Sequence, residues 1–263
     1  MEAIALSWWA VAGAGALLLL HGGLSVALGL GLEKRLAIVS ARTVVQLTLL
    51  SWILVPLFAW PQWWLVLPMC AVMVALAAWE ATRRVSRRYP GMLAGAFGAM
   101  LLGSGTTAVW GTLVLLQPDP PWSPRYLIPL VGMILGNALT GVSLGLDRCL
   151  QDLDEGRGRV ELLLALGATR WQAARGVARD AVRTGMIPIL NAMSAVGLIT
   201  IPGMMTGQIL GGADPIQAAR YQILILFLIA GAVAVGTLVA VGLALTTLLD
   251  REHRLRSDRI SRR

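Results

Sequence analysis

YQILILFLIAGAVAVGTLVAVGLALTTLL, residues 221–249, contains no Asp, Glu, Lys or Arg. A helix needs about 20 apolar residues to span the hydrocarbon core of a bilayer, and this stretch is longer than that. On its N-terminal side lies GGADP (211–215), where Gly211, Gly212 and Pro215 resist helix continuation. Before that comes a further apolar run, Met186–Leu210, and five more precede it: Leu6–Leu32, Leu36–Phe58, Trp63–Trp79, Met92–Leu116 and Tyr126–Leu146. The expected fold is all-α, a polytopic membrane protein of about seven transmembrane helices forming one transmembrane domain over 1–263.

Composition agrees with that reading. Of 263 residues, 57% are hydrophobic and 14% charged, with a mean hydropathy of +0.72, whereas soluble domains carry about 25% charge. A cleaved signal peptide is not expected, because the first apolar run is long and follows Glu2 rather than Lys or Arg. Cys70 and Cys149 fall in or at the end of apolar runs and imply no disulfide framework.

The formal charge of +8 points to nucleic acid only until the basic residues are placed. Lys34, Arg35, Arg83, Arg84, Arg87 and Arg88 lie in two links, Arg148 to Arg183 in the long link after the fifth run, and Arg251 to Arg263 in the tail. With seven spans, all three groups fall on one side of the membrane. The positive-inside rule then sets the N-terminus outside and the C-terminus in the cytosol. Trp8, Trp9, Trp60, Trp63, Trp64 and Trp122 gather at the opposite ends, as an interfacial belt would. The basic charge is thus a topology signal, and no nucleic-acid partner is expected.

Two runs carry ladders of small residues. Gly91, Gly95, Ala99, Gly103, Thr107 and Gly111 recur at every fourth position, as do Ala232, Gly236, Ala240 and Ala244. Such spacing keeps missing side chains on one helix face, where another backbone can approach. The approach is either packing within one subunit or a contact between two.

Residues 147–185 form the long polar segment, DRCLQDLDEGRGRVELLLALGATRWQAARGVARDAVRTG. Val160–Leu166 reads as a short apolar helix that Gly167 ends. Thr169, with Gln172 three residues on, has the spacing of a capping box and starts another helix. Arg175, Arg179 and Arg183 line one face of it. Trp171, exposed beside the cap, suits a partner's groove; a solvated surface feature is the alternative.

ELLLALGATRWQA resembles the "EAA" coupling motif of ABC-transporter permeases, with Glu161 and then Gly167 six residues on, although Leu162 and Leu163 stand where the motif has alanines. LITIPGMMTGQILGGADPIQAARYQ (198–222), GNALTGVSLGLDR (136–148) and RTVVQL (42–47) are similar to segments of the FetB family of iron-export ABC permeases and of their plant relatives in aluminium tolerance. The resemblance implies a permease in the bacterial inner membrane, paired with a second copy of itself and with two copies of a cytosolic FetA-like ATPase that binds ATP and Mg. It implies ATPase coupling through Glu161, Gly167, Ala168, Thr169, Arg170, Trp171 and Arg175. No cofactor is expected in this chain, and no catalysis: the sole lysine, Lys34, follows Glu33, so no phosphate loop can form.

A transport path would use polar groups at membrane depth, which are tolerated where they face a cavity. Asn137, Asn191, Thr206 and Gln208 offer oxygens, Met204 and Met205 offer thioethers, and Pro202 with Gly203 breaks a helix and frees carbonyls. Packing is the competing role for the two methionines. Arg42 and Gln46, one turn apart, either line the path or let the cation snorkel to the cytosolic side, with Asp147 and Glu80 as candidate partners. The sequence shows no cluster of ligands suited to ferrous iron, so the metal ligands are unknown. Met69, Cys70 and Met73 read as packing. A nucleotide sugar or another small solute is the alternative cargo. Two other functions compete: a secondary transporter or channel without ATPase, and an intramembrane hydrolase built on Ser104 and His21.

Overall fold

The computed structural model describes residues 7–250 and 252–262. Six described helices are long and apolar enough to cross a membrane: Trp9–Ala27, Glu33–Ala59, Trp63–Arg84, Met92–Leu116, Pro124–Glu155 and Pro215–Leu248. In chain order, α1 is Trp8–Ala27, α2 Glu33–Ala59 and α3 Trp63–Arg84. The fourth span combines α4 (Met92–Met100) and α5 (Thr106–Trp110) with two π-helical stretches, Leu101–Gly105 and Gly111–Leu116. Then follow α6 (Pro124–Glu155), α7 (Arg157–Ala165), α8 (Arg170–Ala195), α9 (Gly203–Leu210) and α10 (Pro215–Leu248).

The apolar run Met186–Leu210 is not one helix. Its first part belongs to α8, which begins sixteen residues earlier at Arg170 within the polar segment and stops at Ala195. Gly197 then takes a left-handed φ of +80°, and Val196 bridges Thr200. Pro202 caps α9 in an extended conformation. Proline also disfavours the helical conformation of the residue before it, so the break extends upstream of the Pro202-Gly203 pair. Together α8 and α9 form a discontinuous helix, a form tolerated at membrane depth where backbone is shielded by protein or lines a cavity.

The core is built around α10, flanked by α6, α8 and the fourth span, with α3 packed on α6 and α4. Glycines bring these backbones together. A Cβ on Gly103 would lie 2.6 Å from the Gly236 nitrogen and 2.8 Å from the Ala232 oxygen. The two small-residue ladders therefore pack on each other within one chain, not between subunits at this point. A Cβ on Gly185 would lie 2.6 Å from the Gly141 oxygen and 2.7 Å from Thr237 Cγ2. Gly145 likewise faces Ala181 and Thr237, so α6 and α8 run antiparallel, locked at one knot on α10.

The first two helices stand apart. α1 packs mainly on α2, and almost none of either is buried. Their loop is pinned by Ser25, whose hydroxyl donates to Glu33 Oε2 at 3.0 Å and accepts from the Leu32 amide at 2.9 Å. His21, on α1, bonds the carbonyl oxygen of Leu17, while Ser104 is buried in the fourth span. Among the described residues α1 packs on α2 rather than on the fourth span, and the Ser104 hydroxyl has no hydrogen-bond partner, so no base stands within hydrogen-bond reach of it there.

Candidate coupling and transport site

The polar segment folds into an elbow. α7 ends where Gly167 adopts φ +89°, a conformation that favours glycine. Ala168 leads to Thr169, whose hydroxyl accepts from the Gln172 amide at 3.3 Å while Gln172 Oε1 accepts from the Thr169 amide at 2.8 Å. Both halves of the capping box are formed. Removing it with Thr169→Ala should cost about 1 kcal/mol, read as faster amide exchange over 170–172 with the rest of α8 unchanged.

Val160, Ala173 and Ala174 bury the inner side of the elbow. Its outer side is apolar and open: Leu162 is 60%, Leu166 75% and Trp171 49% exposed. Arg170 stacks over the Trp171 ring at 5.3 Å. Glu161 is held by Arg157 at 2.7 Å, one turn back, and Arg175 lies exposed one turn into α8.

The C-terminal tail braces the same end. Residues Ser261–Arg262 pair antiparallel with Arg87–Arg88. Arg87 binds Asp154 at 2.8 Å and Glu155 at 2.7 Å, and Arg262 binds Asp154 at 2.9 Å. The Arg170 amide donates to His253 Nδ1 at 3.0 Å, and its guanidinium reaches the Leu249 carbonyl at 3.5 Å. Sequence reading missed this strap, because contacts spanning a hundred residues leave no local pattern.

Hydrogen bonds from Arg87 and then Arg262 hold the Asp154 carboxyl below its ordinary value. A depressed carboxyl contributes its clamp above the ordinary carboxylate range and loses it as pH falls through the lowered value. Limited proteolysis of the tail should therefore begin only in acid below that range. In Asp154→Asn it should proceed at neutral pH.

The candidate path residues are distributed over three regions. Arg42 and Gln46 are exposed on α2; Arg42 lies 3.8 Å from Glu80, which also sits 3.7 Å from Arg84. Asp147 instead accepts from the Ser86 amide at 2.8 Å. Asn137 and Asn191 are exposed on α6 and α8, with Thr140 and Ser194 on the same two helices. Asn137, Thr140 and Ser194 each bond a carbonyl of their own helix.

Pro202, Met204, Met205 and Gln208 are partly buried in the break and α9, Thr206 is exposed, and Met204 packs on the core. Gln208 Oε1 has no hydrogen-bond partner among the described residues, nor has Gln222 Oε1 on α10, which sequence reading passed over. A lone glutamine inside an uncharged run was the available signal. Cys70 and Met73 pack against buried neighbours, as expected. Among the described residues no group of three or more His, Cys, Asp or Glu could hold a metal ion.

The profile described as "Uncharacterised protein family (UPF0014)" matches residues 8–249. The UPF0014 membrane protein slr1647 of Synechocystis is 40% identical over 76% of this chain and 78% of its own length. The probable iron export permease protein FetB of Escherichia coli is 31% identical over 86% of each chain. Protein ALUMINUM SENSITIVE 3 of Arabidopsis thaliana is 31% identical over 89% of this chain and 84% of its own. No solved structure matches.

Proposed function

We propose, for a chain that belongs to the UPF0014 family of membrane proteins, that it is the permease subunit of an ATP-driven exporter in the bacterial inner membrane. Two copies work with two cytosolic ATPases that bind ATP and Mg, and the cargo is iron. The elbow carries the reading: Leu162, Leu166 and Trp171 are each exposed on its two arms, at the head of a helix that runs to Ala195. That helix has 26 residues and so is about 39 Å long. A push on the elbow moves α8 as a lever, and the glycine knot at Gly141, Gly185 and Thr237 passes that motion to α6 and α10.

The far end of the lever carries the exposed Asn191 and the break before Pro202. Polar groups at membrane depth favour water or protein over lipid. The exposed Asn137 and Asn191 therefore suit a path closed by a second copy related by two-fold symmetry. Neutral oxygens and thioethers bind a cation weakly, which lets it leave again. Iron as cargo rests on the similarity to FetB.

Inverted vesicles holding the chain and its ATPase should accumulate iron only with ATP. ATP-dependent uptake of a nucleotide sugar instead would change the cargo. Iron movement without any ATPase would favour a secondary transporter.

A further inference from the structure

The basic end holds a cavity of about 740 Å³ between α6, α7 and α8. Its charged walls are Arg148 and Asp152 from α6, Arg159 from α7, and Arg175, Arg179 and Asp180 from α8. Two of these arginines are answered within the wall: Arg148 binds Asp152 at 3.0 Å and Arg179 binds Asp180 at 3.3 Å. Arg159 and Arg175 have no carboxylate within ion-pairing distance among the described residues, so the cavity carries two surplus guanidinium charges. Its floor is apolar, with Val160, Leu163, Ala173 and Val177. Gly176 keeps it open: the nearest atom to a Cβ there would be Arg159 Nη2, at 3.8 Å.

Depth decides what can fill it. The uncharged part of α6, Tyr126–Leu146, spans about 30 Å, the thickness of the hydrocarbon core. Arg148 then lies about 3 Å beyond that core, within a headgroup layer about 5–8 Å thick, and Asp152, about 9 Å beyond it, stands at the outer edge of that layer. Guanidinium groups bind phosphate oxygens in pairs, and basic pockets between membrane helices take anionic headgroups. We infer that this cavity holds the phosphate of an anionic phospholipid headgroup, bridging α6 to both arms of the elbow. The site does not depend on the transport reading, because it is argued from charge, room and depth alone.

The test is native mass spectrometry of the full-length chain, delipidated in neutral detergent and titrated with phosphatidylglycerol or phosphatidylcholine. The wild type should bind phosphatidylglycerol roughly tenfold or more tightly than phosphatidylcholine. R159Q/R175Q should lose that preference, and so should Gly176→Leu, which fills the cavity without removing charge. Arg254→Gln, outside the cavity, should keep it. Thermal melts in lipid-free detergent must match wild type for each variant counted. Equal binding of the two lipids overturns the proposal, as does an undiminished preference in either cavity variant. Competition by inorganic phosphate at the affinity of the lipid also overturns it, by assigning the site to a soluble anion.

Discussion

Gly103→Val should leave little folded protein in the membrane. The added Cβ falls 2.6 Å from the Gly236 nitrogen and 2.8 Å from its Cα, so it meets main chain, which cannot rotate away. Relief requires α10 to move, and α10 is also held through Thr237 by Gly141, Gly145 and Gly185. Overpacking a dense core commonly costs 1–3 kcal/mol, and against backbone we expect about 3 kcal/mol or more. Against a typical total stability of about 5–15 kcal/mol that is a large loss. Gly98→Ala is the control, because a Cβ there meets nothing within 4 Å. Size-exclusion yield and melting temperature should separate the two variants. Equal behaviour would mean that the fourth span and α10 do not meet as described.

The second large effect concerns Gly167. A Cβ there meets nothing within 4 Å, so the constraint is φ +89° alone. An L-residue in the left-handed region costs about 1–2 kcal/mol, and a β-branched one more. Gly167→Val should therefore turn α7 to another angle and carry Leu162 and Leu166 away from Trp171. The expected result is a folded protein whose ATP-driven transport falls on the order of tenfold while the partner still hydrolyses ATP. Asparagine tolerates the left-handed region, so Gly167→Asn should retain most transport. A tolerant Gly167→Val would show that the elbow angle is unimportant.

Much of the fold was legible because lipid imposes simple rules. Uninterrupted apolar length located six of the seven expected spans but misread Met186–Leu210 as one helix, and the Thr169–Gln172 spacing and Gly167 located the elbow. Glu80 was named as a partner for Arg42 by reach alone. The break at 196–202 was half visible: Pro202 announced it, but Gly197 and the bridge from Val196 to Thr200 depend on backbone geometry that hydropathy does not encode. The π-helical stretches of the fourth span were hidden inside an ordinary ladder of small residues.

The continuity of α8 was obscured for a different reason. Its first half is studded with arginine and its second half is apolar, so composition divides what hydrogen bonding joins. The tail clamp on Asp154 and the His253 contact to Arg170 are long-range ion and hydrogen-bond pairs, and no window of sequence contains both partners. The candidate path is the least legible part, since its neutral oxygens are scattered over α2, α6, α8 and α9.

Whether the elbow docks an ATPase is decided by gentle affinity purification of the tagged chain from its native membrane, followed by mass spectrometry of what accompanies it. The wild type should bring down a stoichiometric phosphate-loop ATPase, and the Leu162→Ala/Trp171→Ala variant, equally folded, should not. A wild-type chain that purifies without any ATPase would rule out the permease role. A variant that retains the ATPase at full stoichiometry would contradict docking at the elbow, because its exposed side chains would then have no part in it.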